Sequence, residues 1–519
     1  MALSKAALSL VIAQLYGGVS GSPAPLPNAA PHPMITPSPA LHDPSRTFRA
    51  RGIVSDVTEG FGGFTSGVDS VFRSLGSAIP SYVASGVPNF FQDFPVGDKV
   101  QSSLGIDDEQ VRALPTQVLN VPPYANWSNG AWNIRFRGNV YKQPNTSEGK
   151  LNELANIFLI DTDVQDLPPE QQAQARNVTA SIFILQQDDE NVTMHMEPAD
   201  SAGSSGEPGG GGAVTPEGGV QNATLPDPTT ELGDFDAFVP IELNGLTAGD
   251  EATEIQRLNV YAEGATLGNA TAYLVPPTGL TIISDIDDVL RVTKIYKPDE
   301  GILNSFARPF TPWLNMPDIY ANWSRSIPDT HFHYLTTTPE QATRIYMDFI
   351  YKTYPGGSFD TRPLNFSDVS ATLSIRQHLL DRIFQTFPDR KFVLVGDTSN
   401  SDMMKSYPGL VAAYPRQVQC ILMRNTTATD EDMLFPYNTD GFKDLDQQMY
   451  MFFNTPDDLT GLDIAGGNCY NASVPQHLTF GYQAERLGVH GDTGAAGRVG
   501  VSWYAVVGLA SFIGAFLAL

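Results

Sequence analysis

The chain has 519 residues, and its 57 Asp and Glu against 31 Lys and Arg give a formal net charge of -26. This length leaves room for two or three domains with a substantial core, and it excludes a small scaffold held together mainly by disulfides. The acidic balance excludes a general nucleic-acid-binding protein, because such proteins need a basic surface for the phosphate backbone.

Residues 1–21 have the build of a secretory signal peptide. Lys5 precedes a short apolar run at 6–16, and small residues follow it. A transmembrane helix is the alternative, but this run is too short to cross a bilayer core of about 30 Å. Residues 22–95 begin with a stretch rich in Pro, Ser and Ala and continue with apolar residues at helical spacing, so we expect a leader with one short amphipathic helix.

Asn-x-Ser/Thr sequons are spread along the chain, and passage through the secretory pathway would glycosylate several of them on exposed loops. They begin at Asn126, Asn145, Asn177, Asn191, Asn222, Asn269, Asn322, Asn365, Asn425 and Asn471. The two cysteines, Cys420 and Cys469, would then pair as a disulfide in an oxidising compartment. A pair of free buried thiols is the alternative.

Residues 96–278 predict an antiparallel β-rich domain, most simply a sandwich. Apolar and polar residues alternate there in short runs separated by Gly, Pro and Asn. The runs are 131–141, 178–186, 236–243 and 256–264. The Gly-rich stretch 199–235 offers little to bury, and we expect it to be a disordered loop.

Residues 279–478 predict an α/β domain in which helices cover both faces of a mostly parallel sheet. Fully apolar strands alternate there with helical segments. The strands are 280–284, 331–335, 392–395, 418–423 and 449–453, and the helices are 339–353 and 370–386. His331 and His333 alternate along one strand, and we expect core hydrogen bonding from them rather than metal ligation. Ligands of such sheets bind at the carboxyl ends of the strands.

Residues 479–519 are expected to form a linker and a membrane-anchoring tail. The last 21 residues are apolar and lack a basic flank, whereas a spanning helix usually carries Lys or Arg on its cytoplasmic side. Small residues and a polar spacer at 488–498 are typical of a glycosylphosphatidylinositol (GPI) attachment signal. We expect a GPI anchor attached within 488–494 at the membrane surface, with a retained membrane helix as the alternative.

Acidic residues follow two of the predicted α/β strands at the points where those strands end. Asp285 and Asp287 follow the first strand, and Asp397 and Asp402 follow the third. Carboxylates buried together repel one another and lose solvation, and a cation reverses that balance. Oxygen ligands in this number suit Mg²⁺. The sequence therefore predicts one magnesium site to which all four acids contribute.

The order of these motifs resembles the haloacid dehalogenase (HAD) superfamily of phosphotransferases, which implies a HAD-like, Rossmann-type sheet. The resemblance is carried by 285-DID-287, by Thr336 in 334-YLTTTPEQ-341, and by the acidic pair Asp397 and Asp402. Each of these motifs lies at a predicted strand end.

A closer resemblance covers roughly residues 270–425 and is carried by five stretches in order. They are 277-PTGLTIISDIDDVL-290, 303-LNSFARPFTPWLNMPDIYANW-323, 332-FHYLTTTPEQ-341, 354-YPGGSF-359 and 387-FPDRKFVLVGDTSNSD-402. These stretches are similar to the catalytic domain of the Mg²⁺-dependent phosphatidate phosphatases typified by the actin-patch-associated enzyme. Many members of that family carry a β-rich region before the catalytic part.

The resemblance implies a role for each motif residue. Asp285 would attack phosphorus to form an aspartyl-phosphate, and Asp287 would protonate the leaving alkoxide and then activate water. Mg²⁺ would be bound by the Asp285 carboxylate, the Asp287 main-chain carbonyl and Asp397, with Asp402 positioning the metal or its waters. Thr336 would hydrogen-bond the transferring phosphoryl group.

The sequence departs from the family pattern in two places. Val289 stands where the family usually has Thr, so one hydroxyl of the first motif is missing. Counting back from 387-FPDRKF-392 places the third-motif basic residue at Arg376, which can bridge carboxylate and phosphate. An ordinary exposed helix Arg is the alternative there, and Lys352 and Lys391 are the other candidates for the basic role.

The resemblance implies a phosphoric monoester hydrolase that releases phosphate from phosphatidate to give diacylglycerol. The expected location is the secretory pathway and the cell surface or extracellular space, so the substrate could also be another lipid or a soluble phosphate ester. A surface protein that keeps the phosphatase fold without turnover is the alternative of a different class. Retention of the four acids opposes it.

Overall fold

The computed structural model describes residues 98–156, 159, 162–199, 218–294, 298–362, 369–426, 437–474, 476, 480 and 482–483. The expected signal peptide, the leader with its amphipathic helix, most of the Gly-rich stretch and the apolar tail lie outside these residues. Within the described part, no helix has the length and apolar character needed to span a bilayer.

The β-rich part comes first in the chain. Its helices are α1 (Asp98–Leu104), α2 (Asp108–Ala113), α3 (Glu148–Ala155) and α4 (Pro169–Ile182), with a 3₁₀ turn at Val164–Asp166. Its strands are β1 (Thr116–Val121), β2 (Tyr124–Ser128), β3 (Ala131–Lys142), β4 (Leu185–Gln186), β5 (Thr193–Pro198), β6 (Gln221–Thr224), β7 (Asp234–Ile241), β8 (Gln256–Ala262) and β9 (Ala270–Leu274).

The β-rich part has one nine-stranded sheet with the order β1-β3-β2-β9-β8-β5-β6, and β4 and β7 also pair with β3. Its pairings are antiparallel except β2 with β9. Buried and half-exposed residues alternate along β8, as expected for a strand with one face on a core. That core contains Trp132, Ile134, Met194 and Leu258. The predicted antiparallel β-rich region is confirmed.

Two local predictions in this part are wrong. The run 178–186 is mostly the end of helix α4, which buries Ala175, Val178, Thr179 and Ile182 at spacings of three and four residues. The predicted disordered loop 199–235 extends too far, because β6 and the start of β7 lie within it. Both errors come from short segments whose local pattern fits more than one structure.

The α/β part follows directly. Its strands are β10 (Leu280–Ser284), β11 (His331–Pro339), β12 (Ser358–Arg362), β13 (Lys391–Asp397), β14 (Val418–Arg424), β15 (Tyr437–Asn438), β16 (Tyr450–Phe453) and β17 (Tyr482–Gln483). Its helices are α5 (Pro298–Phe306), α6 (Met316–Ser326), α7 (Thr343–Thr353), α8 (Val369–Thr386) and α9 (Ser401–Ala413). Short 3₁₀ turns lie at Glu340–Ala342, Asp440–Phe442, Gln447–Met449 and Pro456–Leu459.

Six of these strands form a parallel sheet with the order β12-β11-β10-β13-β14-β16. Neighbouring residues of β10 lie in different apolar clusters, Ile282 in one and Ile283 in the other. Because side chains alternate across a strand, the two clusters occupy the two faces of the sheet. The predicted α/β architecture is confirmed, and β12 is an edge strand that the sequence pattern did not reveal. Strands β15 and β17 form a separate antiparallel pair.

The two parts share a continuous core. Leu119 and Tyr141 of the β-rich part belong to the same buried cluster as Ile282 of β10. Tyr124 belongs to the cluster on the other face of the parallel sheet. The burial of aromatic and aliphatic side chains between the parts is a favourable term of the kind that dominates folding. We therefore expect the two parts to fold as one cooperative unit.

A buried group of charges also links the two parts. Arg135 of β3 donates to Asp360 of β12 at 2.7 Å, and its Nε donates to Asp236 of β7 at 2.8 Å. Arg137 donates to the same Asp360 oxygen at 3.0 Å, and its other terminal nitrogen lies 3.6 Å from Glu340. The Asp360 side chain is 0% exposed, so its charge is balanced by the two arginines rather than by water.

The two histidines of β11 lie inside this same region. Ser358 contacts His331 Nε2 at 2.9 Å and His333 Nδ1 at 2.8 Å, and His333 Nε2 lies 3.4 Å from Asp360. A serine, a histidine and an aspartate in this order could suggest a hydrolytic triad. All three side chains are buried in the core, so no substrate reaches Ser358. The predicted role of both histidines in core hydrogen bonding is confirmed.

The disulfide prediction is also confirmed. Cys420 of β14 and Cys469 are joined by a disulfide with a Cα–Cα distance of 5.6 Å, and both residues are buried. This bond ties the segment after β16 to a strand of the parallel sheet.

Candidate active site

The first motif lies at the centre of the parallel sheet. Asp285 directly follows β10, and its main-chain N–H donates to the Val395 carbonyl of β13 at 2.9 Å. Asp397 is the last residue of β13. Since β10 and β13 are adjacent and parallel, their carboxyl ends bring Asp285 and Asp397 to the same edge. This is the meeting of distant segments that the sequence predicted.

Arg376 reaches this edge from helix α8. Its terminal nitrogen donates to Asp285 Oδ1 at 2.9 Å, and the residue is only 2% exposed. An ordinary exposed helix arginine is therefore the wrong interpretation of Arg376. The other candidates for the basic role lie elsewhere: Lys352 is exposed on α7 near Asp348, and the exposed Lys391 donates to the Arg416 carbonyl.

The two acids at the edge have pKa values above the usual range of a carboxyl group. Burial raises the pKa of Asp285 to about 8, because the nearby charges of Asp397 and Asp287 add to desolvation and outweigh the opposing effect of Arg376. Burial and the charge of Asp288 raise the pKa of Asp397 to about 6, against hydrogen bonds from Ser399. A neighbouring cation would lower both values.

Asp288 shapes the loop after β10. It has a left-handed φ of 56°, which turns the chain sharply at this point. Its Oδ1 accepts hydrogen bonds from the main-chain N–H groups of Thr293 at 3.1 Å and Lys294 at 2.7 Å. Arg424, stacked on the Trp313 ring at 4.1 Å, donates to the Asp288 carbonyl. Asp288, the acid that directly follows the 285-DID-287 motif, is thus a loop-ordering residue, a role that the sequence pattern did not distinguish.

Asp287 has different surroundings from Asp285. Its carboxylate accepts a hydrogen bond from the Thr293 hydroxyl at 2.8 Å and another from the Tyr346 hydroxyl. Its side chain is 15% exposed, so it keeps access to solvent that Asp285 largely lacks. Tyr346 lies on helix α7, far from the motif in sequence, and it is a site residue that motif reasoning missed.

Thr336 and Val289 complete the predicted first and second motifs. Thr336 lies on β11, two residues beyond the register pair Ser284–Tyr334, and is buried near the end of β10. Its hydroxyl contacts the Thr338 hydroxyl at 3.0 Å and accepts from the Thr338 N–H at 3.1 Å. Val289 is fully buried in an apolar cluster, which explains how valine is accommodated at this position.

The donors at this edge fit a magnesium ion. Asp285 and Asp397 supply two carboxylates, and Mg²⁺ is commonly held by one or two carboxylates together with water and substrate oxygens. The raised pKa values of both acids are consistent with a site that has a place for positive charge. Within the described residues, no three His, Cys, Asp or Glu side chains form a complete metal cage. Asp402 is the second residue of α9, and its side chain lies outside the described part.

Comparison with known proteins identifies the segment that carries this geometry. Residues 280–425 match the family model described as the catalytic domain of phosphatidate phosphatase APP1. This segment is similar to the APP1 catalytic-domain family. The predicted resemblance is therefore confirmed. All six predicted site residues lie within the APP1 segment: Asp285, Asp287, Thr336, Arg376, Asp397 and Asp402.

A curated relative agrees with this family. Phosphatidate phosphatase APP1 of Saccharomyces cerevisiae is 26% identical over 159 residues, which are 30% of this chain and 27% of the yeast protein. The match thus spans about a quarter of the relative's length. Among solved structures, a mutant ferredoxin-NADP⁺ reductase of Plasmodium falciparum in complex with 2'P-AMP aligns over 60% of this chain and 97% of its own, at 8% identity and a TM-score of 0.14. This TM-score is too low to indicate a shared fold.

Proposed function

We propose that this protein is a Mg²⁺-dependent phosphatidate phosphatase that releases phosphate through an aspartyl-phosphate. The observation that carries the proposal is the convergence of Asp285, Asp397 and Arg376 at one edge of the sheet, inside the segment that matches the APP1 catalytic domain. A buried carboxylate beside a fixed arginine is suited to a phosphoryl group, because arginine pairs with both carboxylate and phosphate oxygens.

In the proposed first step, an Asp285 oxygen forms a bond to phosphorus and the bond from phosphorus to the lipid oxygen breaks. The Asp287 carboxyl gives its proton to the departing oxygen, so diacylglycerol leaves as a neutral alcohol. In the second step, water attacks phosphorus, Asp287 takes the water proton, and the electron pair of the breaking bond returns to Asp285. Arg376 and Thr336 orient and stabilise the phosphoryl oxygens.

In this proposal Asp285 and Asp397 would hold Mg²⁺, with the main-chain carbonyl of Asp287 and the side chain of Asp402 as further contributors. When bound, the ion would neutralise charge on the carboxylates and on the phosphoryl oxygens. Ser399 supports this arrangement, because its main-chain N–H donates to Asp397 Oδ1 at 2.7 Å and its hydroxyl donates to the same oxygen. These bonds fix the position of that carboxylate oxygen.

The test is phosphate release by the purified protein from phosphatidate, a lysophospholipid, a lipid pyrophosphate and soluble phosphate esters. Each substrate is assayed with Mg²⁺ and with the metal chelated, beside the Asp285→Asn variant. We expect Mg²⁺-dependent release from phosphatidate that Asp285→Asn abolishes. Equal release by wild type and variant would refute the nucleophile assignment. Release from none of these esters would favour a non-catalytic surface protein.

We further propose that the protein is a glycoprotein of the secretory pathway, held at the cell surface by a GPI anchor. The internal disulfide supports an oxidising compartment. Several sequon asparagines are exposed and accessible to glycosylation: Asn145, Asn177, Asn191, Asn222, Asn269 and Asn322. Release into the medium by a phosphatidylinositol-specific phospholipase would support the anchor, and retention in the membrane pellet would contradict it.

A further inference from the structure

The side chain of Asp287 is held by two hydroxyl groups from different parts of the chain. The Tyr346 hydroxyl lies 3.0 Å from Oδ1 and 3.1 Å from Oδ2, and the Thr293 hydroxyl donates to Oδ1 at 2.8 Å. Thr293 lies in the loop after β10, whereas Tyr346 belongs to helix α7. A carboxylate on a short side chain, contacted from two directions in this way, has little freedom to rotate.

Tyr346 is itself fixed by its neighbours. Its ring packs edge to face on Phe310 with centroids 5.1 Å apart, and the buried guanidinium of Arg291 lies 5.0 Å from the Tyr346 centroid and 3.5 Å from that of Phe310. Arg291 Nε also lies 3.6 Å from Asp287 Oδ1. The tyrosine ring therefore cannot swing away without disrupting a cation–π stack and an aromatic pair.

The two acids of the first motif have different hydrogen-bond partners. Asp285 receives its hydrogen bond from Arg376, while Tyr346 contacts both oxygens of Asp287 and keeps the carboxyl group in one orientation. A general acid must lie within hydrogen-bond reach of the leaving oxygen, and a small displacement of a catalytic group can cost a large factor in rate. A fast reaction therefore requires the Asp287 carboxyl to be correctly oriented as well as present.

We propose that Tyr346 is a positioning residue that holds the Asp287 carboxyl where it protonates the leaving alkoxide. The inference rests on the proposed phosphatase function and assigns the orientation of its general acid to a residue outside the sequence motifs. Tyr346 keeps its own proton throughout. The transferred proton passes from the Asp287 carboxyl to the lipid oxygen when the bond from phosphorus to that oxygen breaks.

The test compares phosphatidate with an analogue in which sulfur replaces the ester oxygen between phosphorus and glycerol. A thiolate leaves without protonation, so its departure does not need a positioned acid, whereas an alkoxide does. We expect Tyr346→Phe to slow the first turnover of phosphatidate about tenfold and that of the sulfur analogue by less than about twofold. The matched control is Tyr351→Phe on the same helix, whose hydroxyl donates to the Gly357 carbonyl at 2.9 Å. This control should leave both rates within about twofold of wild type.

Equal slowing of both substrates, or no slowing of either, by a folded Tyr346→Phe protein would overturn the proposal. If that variant does not fold, Thr293→Val removes the second hydroxyl from Asp287 and must show the same selective loss on phosphatidate. Failure of the proposed function is distinguishable, because wild-type protein would then release no alcohol or thiol from either substrate. An active wild type with unselective variants refutes the positioning role alone.

Discussion

Replacing Asp360 by Asn tests whether buried charge joins the β-rich and α/β parts into one cooperative unit. The Asp360 side chain is 0% exposed and accepts hydrogen bonds from Arg135 at 2.7 Å and from Arg137 at 3.0 Å. Asp360→Asn preserves the shape of the side chain but removes the negative charge. It also places an amide donor where an arginine donates, so each guanidinium group loses one counter-charge, although Arg135 keeps Asp236 and Arg137 keeps Glu340 nearby.

The expected loss is about 3 kcal/mol in the free energy of unfolding at pH 7. Removing one partner of a buried ion pair costs about 3–5 kcal/mol, and the remaining amide oxygen of Asn places the result at the low end. The matched control is Asp348→Asn on α7, whose carboxylate lies 3.7 Å from Lys352 with both side chains more than three-quarters exposed. A surface pair of this kind contributes less than about 1 kcal/mol.

Urea unfolding followed by circular dichroism measures both variants against wild type. A loss for Asp360→Asn that is within about 1 kcal/mol of the Asp348→Asn loss would refute the reasoning. So would a selective unfolding of one part of the wild-type protein, because the shared core and the charge network predict a single transition.

The difference in unfolding free energy between wild type and Asp360→Asn should depend on pH in a definite direction. Burial alone would raise the pKa of Asp360, but Arg135, His333 and Arg137 outweigh that effect and hold it well below its usual value. A carboxylate with a depressed folded-state pKa adds stability above its unfolded pKa of about 3.9, and this stability is lost as the pH falls further. The difference in unfolding free energy between wild type and Asp360→Asn should therefore be full at pH 7 and should narrow below about pH 4.

Other predictions concern the site, the disulfide and the sequons. Arg376→Met should lower the steady-state rate of phosphate release from phosphatidate at least tenfold, with partial recovery in Arg376→Lys; an unchanged rate would remove Arg376 from the site. Replacing both Cys420 and Cys469 by Ala should lower the free energy of unfolding by about 4 kcal/mol, because the disulfide closes a loop between cysteines 49 residues apart and so restricts the unfolded chain. A loss under about 1 kcal/mol, measured by urea unfolding, would contradict this prediction. In protein recovered from a secretory host, peptide mass spectrometry should find a glycan at the exposed Asn322 and none at Asn126, whose amide donates to a main-chain carbonyl; the reverse occupancy would contradict this.

Much of the α/β part could be predicted from local patterns. The continuous apolar stretch at β10 indicates a strand buried on both faces, and the acids that follow it indicate a site at its carboxyl end. Helix α4 shows the limit of this reasoning. Its last residues alternate well enough to suggest a strand, and only packing against neighbouring elements selects the helix.

The role of each acid could be only partly predicted. Asp285, Asp287 and Asp288 are chemically alike and lie within four consecutive positions, yet the first pairs with an arginine, the second with two hydroxyls and the third with loop N–H groups. These differences depend on the direction of each side chain and on residues tens of positions away, which a local pattern does not contain.

The sequence by itself determined that an apolar strand ends in acids and that a second strand ends in another acid. Both features are local, because a short continuous apolar run indicates a buried strand and the acids follow it directly. Only the tertiary structure decided that Arg376 is buried against Asp285 and that Tyr346 holds Asp287. The physical reason is that α7 and α8 are amphipathic helices whose exposed and buried faces are set by packing on the sheet. A polar residue on such a helix enters a site only when its face lies over a strand end.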